Sequence, residues 1–353
     1  MRFEVSRVLD AIEARLTLDP ALARAVVDLA ELIRLVDLDG DTARPASLLR
    51  LGHVLDALGR HLAEDGVAVY LVVDRAVLSD LDLSSNERMV LRRWADDGLA
   101  EVLPEPADRV LEVAELLGVP VLSRRMFPEY ADRYQWLPRG LLAPAAAGLS
   151  TVGPGLPGPA DSPVLSRLWH CPEPACAGYG APHGGQPPPR LRAAAPTCPR
   201  HGSRLTDAGP RPPARVLAVR VDGAVRGRFV VRPAAPVLVG RSPVASGAGS
   251  VIALGPLLGE EAMRWISRSH LRLELPGEAL VVTDTSTNGT SVRTPAGPAP
   301  LRTGQAYELG ADDVIELHQG VELGQPTRFQ GGAAQPASVM ADAPTVSLRL
   351  PRR

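Results

Sequence analysis

The sequence predicts a multidomain protein of mixed class, with an α/β domain at its amino end, a small cysteine-containing module in the middle and an all-β domain at its carboxy end. Three observations support this prediction. Helical and strand signals alternate up to about residue 139, all three cysteines lie between two stretches rich in proline and glycine, and short runs with period-two alternation follow from about residue 215. With 353 residues, the chain is long enough for two or three domains of about 100–200 residues each.

The composition excludes several classes of function. All 38 cationic side chains are arginine, which excludes enzymes that need a P-loop lysine, a kinase ATP lysine or a Schiff base to pyridoxal phosphate. A net charge of −2 gives no general basic field for nucleic acid, and three cysteines are too few for a disulfide framework. The amino terminus is typical of an amphipathic helix and no apolar run reaches the roughly 18 residues of a membrane span. We therefore expect a cytoplasmic protein without a membrane partner.

The first 139 residues predict an α/β layer domain. The apolar runs "VAVYLVV" (67–73) and "GVPVLS" (118–123) are typical of buried parallel strands. Between them, "ADRVLEVAELLG" (107–118) predicts a helix that ends at glycine. Such alternation favours a sheet covered by helices.

Proline and glycine mark the boundaries between the predicted domains. Both amino acids disfavour regular structure, so the stretches where they concentrate are interpreted as linkers. The predicted organisation is an α/β domain (1–139), a linker rich in proline and glycine (140–168), a cysteine module (169–205), a second linker (206–214), an all-β domain (215–329) and a disordered tail (330–353).

The carboxy-terminal domain carries the pattern of a β-sandwich, with short alternating runs separated by turn residues. The runs are "RVLAVRVDG", "GRFVVRP", "VLVGR", "HLRLELPG", "ALVVTDTS" and "DVIELH". Three polar clusters fall at strand ends, namely Gly240-Arg241-Ser242, Ser267-Arg268-Ser269-His270 and Thr287-Asn288-Gly289-Thr290. If they meet on one rim, their guanidinium, hydroxyl and amide groups suit a dianionic phosphate and an adjoining peptide backbone.

These clusters, in this order, resemble the forkhead-associated (FHA) domain, whose pattern is G-R, then S-x-x-H, then N-G within one β-sandwich. The resemblance covers residues 215–329 and implies binding of phosphothreonine peptides. It implies that Arg241, Ser267 and Arg268 contact the phosphate. It further implies that Thr287 contacts the phosphate or the ligand methyl group, and that Asn288 binds the peptide main chain.

The resemblance also implies structural roles for three residues of the same clusters. His270 is expected to brace the loops from behind, while Gly240 and Gly289 supply turns that a side chain would block. An ordinary Asn-Gly hairpin would explain Asn288 and Gly289 alone, but not the two distant clusters. The segment 242–266 is longer than this loop usually is in the family, which leaves ligand preference beyond phosphothreonine open.

The cysteine module has the spacing of a metal site. Cys171 and Cys176 form one pair, Cys198 and His201 form another, and three thiolates with one imidazole can close a tetrahedron around Zn²⁺. "CPEPAC" and "CPRHG" resemble zinc-ribbon knuckles over residues 169–205. Four protein ligands imply a structural and not a catalytic zinc.

Other arrangements remain open for the same module. His170 or His183 could replace His201 as the fourth ligand, and the alternative to a metal site is three reduced cysteines in a disordered linker.

The amino-terminal domain resembles the PIN-like and NYN ribonuclease fold, in which aspartates at strand ends hold a divalent metal. The segment "LVDLDGDTARPAS" (35–47) places acids after an apolar run, where ligands bind in open α/β sheets. Asp39, Asp41 and Asp108 are the candidate catalytic residues, with Mg²⁺ or Mn²⁺ as cofactor if the domain is active. Arg109 and Arg125 stand where the family has acids, which favours a scaffold without nuclease activity. The alternative is that Asp37, Asp39, Asp41 and Asp74 are solvated strand ends.

Three functions follow from these readings. The first is a phosphothreonine-dependent adaptor in Ser/Thr kinase signalling, with a phosphothreonine protein and a kinase as partners. The second is a metal-dependent ribonuclease recruited by the FHA domain, which would require acids such as Asp37 and Asp74 to complete a cluster. The third is nucleic-acid binding by the zinc ribbon. The tail adds Thr345, which once phosphorylated is a candidate ligand of the chain's own FHA domain.

Overall fold

The structure is a computed structural model that describes residues 2–151, 162–176, 178–180, 185–193, 195–245, 249–326 and 338–341. The chain divides into two compact units. Unit 1 comprises Met1–His61, Val67–Pro210 and Ala337–Arg353, and unit 2 comprises Leu62–Gly66 and Arg211–Pro336. Within the described residues, no helix combines the length and apolar character required to cross a membrane.

The first part of unit 1 is an α/β layer structure. Its helices are α1 (Arg2–Glu13), α2 (Leu29–Leu32), α3 (Leu49–Leu62), α4 (Ser85–Asp96) and α5 (Ala107–Leu117). Its strands are β1 (Ala23–Asp28), β2 (Ala68–Asp74), β3 (Ala100–Leu103), β4 (Val121–Leu122), β5 (Leu141–Ala145) and β6 (Gly148–Thr151).

The six strands form one sheet in the order β3-β2-β1-β4-β5-β6. Strands β1 to β5 are parallel, and β6 pairs antiparallel with β5. Strand order reverses at β1, which opens a crevice at the carboxyl ends of the strands. The predicted strand at 67–73 and the helix that ends at Gly118 are confirmed; Gly118 has a left-handed backbone with φ +64°, as glycine readily adopts.

The core of this sheet is buried on both faces. Val26, Tyr70 and Val72 pack with α5 on one face. The alternate residues Val27 and Leu71 are also fully buried and point to the opposite face, because successive side chains of a strand alternate. This accounts for the continuous apolar runs in the sequence.

Two parts of the sequence interpretation differ from the structure. The first strand is "ARAVVD" (β1), whereas Val36–Leu38 in "LVDLD" forms a 3-10 turn. The predicted linker at 140–168 begins with β5 and β6. Its Pro144 is tolerated because β4 pairs only with Leu141 and Leu142, so no neighbour on that side needs the missing N–H group.

The cysteine module of unit 1 is built from two small antiparallel sheets. Its strands are β7 (Arg167–His170), β8 (Arg190–Arg192), β9 (Ala195–Thr197) and β10 (Thr206–Pro210). Strand β10 pairs with β7, and β8 pairs with β9. The stretch predicted as a second linker (206–214) therefore begins as a strand of the module.

Unit 2 contains a β-sandwich, as the alternating runs predict. Its elements are β11 (Arg215–Val221), β12 (Ala224–Val231), β13 (Val237–Gly240), β14 (Ser250–Ala253), α6 (Glu260–Trp265), β15 (Leu271–Glu274), β16 (Val281–Asp284), β17 (Ser291–Thr294), β18 (Gly297–Pro300), β19 (Ala306–Glu308), β20 (Val314–His318) and β21 (Val321–Gly324). One sheet has the order β12-β11-β21-β20-β17-β18 and the other β14-β13-β15-β16-β19. Their inner faces share one core, with residues such as Leu217, Val239 and Ile315 fully buried.

A short piece of the predicted disordered tail docks on α3 in unit 1. Ser338 Oγ and the Val339 N–H donate to the Asp56 carboxylate at 2.5 and 2.6 Å, and Val339 is buried. The Met340 side chain covers Gly52, where an added Cβ would lie 2.3 Å from the Met340 sulfur. The donors that converge on Asp56 explain why this segment is held against the helix. Thr345 lies outside the described residues.

Candidate functional site

Three loops leave the second sheet of unit 2 at the same edge. Val239, Leu271 and Asp284 lie opposite one another across β13, β15 and β16. Because these strands are antiparallel, the residues after Val239, before Leu271 and after Asp284 emerge together. The structure thus places all three sequence-predicted clusters on one rim.

Backbone contacts hold the first two loops together. Arg241 N donates to Ser267 O at 3.0 Å, and Ser242 N donates to Arg268 O at 3.2 Å. A Cβ added to Gly240 would lie 2.1 Å from Arg268 O, a distance that no side chain tolerates. Glycine is therefore required at 240 by a close approach of two backbones and not by a turn.

A second glycine, which the sequence interpretation did not single out, supports Arg241 from the other side. Gly255 N donates to Arg241 O at 3.0 Å, and a Cβ at Gly255 would lie 2.5 Å from that oxygen. The backbone of residues 240–241 is thus enclosed by main chain on both sides. The sequence feature that points to this role of Gly255 is its place directly after the apolar run "VIAL".

The third loop is held from below by two buried residues. Asp284 Oδ1 accepts from Ser286 N at 2.8 Å, and Ser286 Oγ accepts from Gly289 N at 2.9 Å. Gly289 has φ +86°, which favours glycine in this turn. The many short polar residues of "VTDTSTNGTSV" are explained by these contacts, since several of them shape the loop and others remain on its surface.

His270 lies behind the loops and joins two of them. It is fully buried; its Nδ1 accepts from Ser267 N at 3.1 Å, and its Nε2 lies 3.0 Å from Thr290 Oγ1. Because Nδ1 accepts from an N–H group, the proton of the neutral ring is on Nε2, which donates to Thr290. Burial lowers the pKa of His270 from its ordinary value of 6.5, against opposing contributions from the Asp284 carboxylate and the Gly289 carbonyl.

We expect acid to destabilise unit 2 through His270. Its folded-state pKa lies below its unfolded value of 6.5, so its contribution to stability is present above pH 6.5 and is lost as the pH falls below it. The measurement is hydrogen exchange of the β15 amides at pH 7.5 and 5.5, expressed as the free energy of opening. His270→Gln, which can still bond Thr290 but does not titrate, should show a smaller difference between the two pH values; an equal difference in both proteins would contradict the assignment.

Among the residues that the structure describes, two arginines on this rim have no acidic partner. Arg241 donates only to Met263 O, at 2.9 Å, and the exposed Arg268 side chain has no partner among the described residues. By contrast, Arg272 on β15 pairs with Glu274 of the same strand at 2.8 Å. Two guanidinium groups without an acidic partner on one rim favour binding of an anion.

The remaining site residues add hydrogen-bonding groups beside these charges. Ser267 Oγ accepts from Thr287 N at 3.1 Å, which joins the second loop to the third. Asn288 is exposed, and its Nδ2 donates to Trp265 O at 2.7 Å. The amide oxygen and the second N–H of Asn288, and the Ser267 hydroxyl hydrogen, are available for a ligand.

A cluster of four potential metal ligands lies in unit 1. The ligand atoms of Cys171, Cys176, Cys198 and His201 all lie within 4.8 Å of one another. Cys176 Sγ is 3.7 Å from Cys198 Sγ, and Cys171 Sγ is 3.2 Å from His201 Nε2. Tetrahedral zinc with Zn–S bonds of about 2.3 Å requires sulfurs about 3.7 Å apart. The donor set therefore fits a structural metal site.

Surrounding groups orient these ligands. His201 Nδ1 lies 3.1 Å from Ser203 Oγ, which donates to Glu173 at 3.1 Å, a chain that fixes the imidazole as outer partners commonly do. Burial raises the pKa of Cys198 to about 12, so metal must displace a proton there. His170 does not belong to this cluster, and its Nδ1 lies 2.7 Å from Gly180 O; His183 lies outside the described residues.

The candidate catalytic aspartates do not come together. Each is paired with its own arginine: Asp39 with Arg50 at 3.1 Å, Asp41 with Arg44 at 3.3 Å and Asp108 with Arg133 at 2.6 Å. Among the described residues, the cysteine–histidine cluster is the one group of three or more such side chains with metal-ligand spacing. The aspartates therefore act as ion-pair partners in this structure.

Arg109 has a structural role. It is fully buried; it donates to Glu101 and Glu112, each at 2.8 Å, and to Pro189 O of the cysteine module at 3.0 Å. Removing one partner of a buried pair of this kind costs about 3–5 kcal/mol. Arg109 is therefore a buried cation that joins two parts of unit 1.

Of the acids that line the sheet crevice, the sequence interpretation named Asp74 and missed the others. A cavity of about 820 Å³ lies at the carboxyl ends of β1 to β3. Its acidic lining residues are Asp28, Glu31, Asp74, Asp80 and Glu105, and Arg34 and Arg125 line it too. Burial, together with the neighbouring Glu31 carboxylate, raises the pKa of Asp28, whose Oδ1 has no hydrogen-bond partner in the described part of the chain.

Comparison with solved structures finds FHA domains similar to about a third of this chain. One is the FHA domain of MEK1, with 24% identity, 31% of this chain and 86% of that chain covered, and a TM-score of 0.24. A second is the FhaA FHA domain complexed with the intracellular domain of Rv3910, with 28% identity, 31% of this chain and 96% of that chain covered, and a TM-score of 0.22. A third is the FHA domain of human APLF in complex with an XRCC1 bisphospho peptide, with 17% identity, 31% of this chain and 98% of that chain covered, and a TM-score of 0.23. No family model and no curated protein matches the chain.

Proposed function

We propose that this chain is a phosphothreonine-dependent adaptor that acts in Ser/Thr kinase signalling. The observation that carries the proposal is the convergence of Arg241 and Arg268, both without an acidic partner in the described residues, with Ser267, Thr287 and Asn288 on one rim. A phosphate with two negative charges matches two guanidinium groups and a hydroxyl donor. Asn288 beside them supplies the amide that binds an extended peptide.

The metal of unit 1 is proposed to be Zn²⁺ in a structural role. Three thiolates and one imidazole in a tetrahedral set favour zinc over hard cations, which prefer oxygen ligands. Zinc would supply folding energy to a module whose four strands have three to five residues each. Cys171, Cys176, Cys198 and His201 would hold it.

A peptide-binding comparison tests the proposed function. The full chain should bind phosphothreonine peptides at least about tenfold more tightly than their unphosphorylated forms, since a charge-assisted bond is worth about 1.5–3 kcal/mol. Phosphoserine peptides, which lack the methyl group of phosphothreonine, are the matched control for the contribution of that methyl group to affinity. Equal affinity for phosphorylated and unphosphorylated peptides would contradict the proposal.

A metal-dependent ribonuclease is the second candidate function, favoured by the acidic crevice around Asp28 and Asp74. Against it, no three acids of this crevice have metal-ligand spacing among the described residues, and Arg125 and Arg34 enter the same space. We therefore expect no RNA cleavage with Mg²⁺ or Mn²⁺. Cleavage that disappears in Asp28→Asn would favour the enzyme over the adaptor.

A further inference from the structure

One carboxylate holds the tail segment 338–341 on α3 of unit 1. Asp56 accepts from Ser338 Oγ at 2.5 Å, from Val339 N at 2.6 Å and from Met340 N at 3.3 Å. Asp56 is buried, and among the residues that the structure describes it forms no ion pair with a cationic side chain. Its negative charge is therefore stabilised by the donors of this segment, as charge-assisted hydrogen bonds do.

The Ser338 hydroxyl lies at the centre of this contact. It donates its hydrogen to Asp56, and its oxygen accepts from Met340 N at 3.0 Å. The Ser338 carbonyl accepts from Ala341 N at 3.3 Å, which closes the segment into a turn. Ser338 is nevertheless exposed, whereas the next residue, Val339, is buried. The contact thus depends on the hydrogen of a hydroxyl group that an enzyme can approach from solvent.

We infer that Ser338 is a phosphorylation site, and that its phosphorylation releases segment 338–341 from α3. In the reaction, Ser338 Oγ forms a bond to the γ-phosphorus of a nucleoside triphosphate held by a Ser/Thr kinase, and the bond from that phosphorus to the β,γ-bridging oxygen breaks. The hydroxyl proton passes to a base of the kinase, and the nucleoside diphosphate leaves. This regulation of unit 1 goes beyond the proposed binding of phosphothreonine by unit 2.

The phosphorylated side chain does not suit the site on α3. Its ester oxygen has no hydrogen to donate, and the phosphate adds about 1.5–2 negative charges at pH 7. At the observed spacing these charges lie a few ångströms from the buried Asp56 carboxylate, and like charges at that distance repel strongly where water is excluded. The N–H groups of Val339 and Met340 reach Asp56 only when Ser338 is beside it as well, so all three bonds are lost together.

Release of the segment has a consequence for the rest of the tail. Thr345 follows Ala341 by four residues, and four residues span at most about 15 Å. While the segment is docked, Thr345 is therefore confined to the neighbourhood of α3. Phosphorylation of Ser338 removes this restriction.

The test is hydrogen exchange of the Val339 amide in the full chain, with and without phosphoserine incorporated at position 338 during translation. Phosphorylation should lower the protection of this amide by at least about tenfold, because its charge-assisted bond to Asp56 is lost. Ser338→Ala removes the hydroxyl donor without adding charge and keeps both backbone donors. It should lower the protection by less than about threefold.

Asp56→Asn separates repulsion from a general loss of packing. In the unmodified chain this substitution should lower the protection of Val339, because the acceptor loses its charge. In the phosphorylated chain it should raise the protection, because the repulsion is gone and the new amide can donate to the phosphate. Opposite signs in the two forms are the coupling that a double-mutant cycle measures.

Four results would overturn the inference. Unchanged protection in the phosphorylated chain would show that the phosphate is accommodated, for instance by Arg60, one turn further along α3. Asp56→Asn that lowers the protection in both forms would exclude repulsion by this carboxylate. Recovery of the protection in phosphorylated Arg241→Ala would show that the rim of unit 2 captures the phosphoserine. Finally, mass spectrometry of the chain isolated from its native cells should find phosphate on Ser338, and its absence would refute the site.

Discussion

Replacing Cys198 with alanine should remove the bound metal and unfold the cysteine module. Purified wild-type protein should carry about one zinc per chain, and the variant should carry less than about a tenth of that. Structural zinc sites contribute roughly 10–16 kcal/mol to the folding of small modules, far more than strands of three to five residues can supply. Metal analysis gives the first readout, and hydrogen exchange at the Cys171 and Cys198 amides, which are bonded to Gly178 O and Ser203 O, gives the second.

His170→Ala is the matched control for the metal. This histidine directly precedes Cys171, but its ring is bonded to Gly180 O and lies against Tyr179, with ring centroids 5.4 Å apart. The variant should keep its zinc. A wild-type chain without metal when prepared without chelator, or full zinc content in Cys198→Ala, would show that the four ligands do not form a filled site.

Arg241→Ala should weaken binding of phosphothreonine peptides by at least about tenfold. The planar guanidinium is suited to pair with two phosphate oxygens, and each charge-assisted contact is worth about 1.5–3 kcal/mol. At 1.4 kcal/mol per tenfold, one such contact already gives this loss. Arg241→Lys keeps the charge but lacks the two-pronged geometry, so its affinity should fall between those of wild type and Arg241→Ala.

Arg272→Ala provides the control for the loss of a positive charge. It lies on β15 beside the site, but Glu274 already neutralises it, so affinity should change by less than about twofold. Within the described residues, the Arg241 side chain makes a single hydrogen bond, so its removal should leave the thermal unfolding of unit 2 nearly unchanged. Wild-type affinity in Arg241→Ala would locate the phosphate elsewhere.

The rim of unit 2 was predictable because its information is local. Each cluster directly follows or precedes a strand with clear period-two alternation, and antiparallel pairing of neighbouring strands brings such ends together. The contacts that support the rim from below were harder to predict from the sequence. Asp284 and Thr290 resemble ordinary loop residues in the sequence, and burial of Asp284 beneath the loop depends on the register of β15 and β16.

Asp28, in the crevice of unit 1, was missed for a related reason. The run "ARAVVD" is short and contains an arginine, so it gives a weaker strand signal than "LIRLVDLD", whose leucines and valine in fact have helical spacing. The first strand was therefore placed too late, and Asp39 took the place that belongs to Asp28. Arg50, whose guanidinium is bonded to Asp39 at 3.1 Å and to the Asp41 carbonyl at 3.1 Å, was not recognisable as their partner from spacing alone.

The glycines at 240 and 255 have a practical consequence for altering recognition by this protein. They allow main chain to pack directly on main chain around Arg241, so the packing of the first loop on its neighbours does not depend on the side chain at position 241. Arg241 can therefore be exchanged while this packing stays constant. This makes the rim a suitable starting point for libraries that seek binders of other modified peptides, with residues 240 and 255 excluded from randomisation.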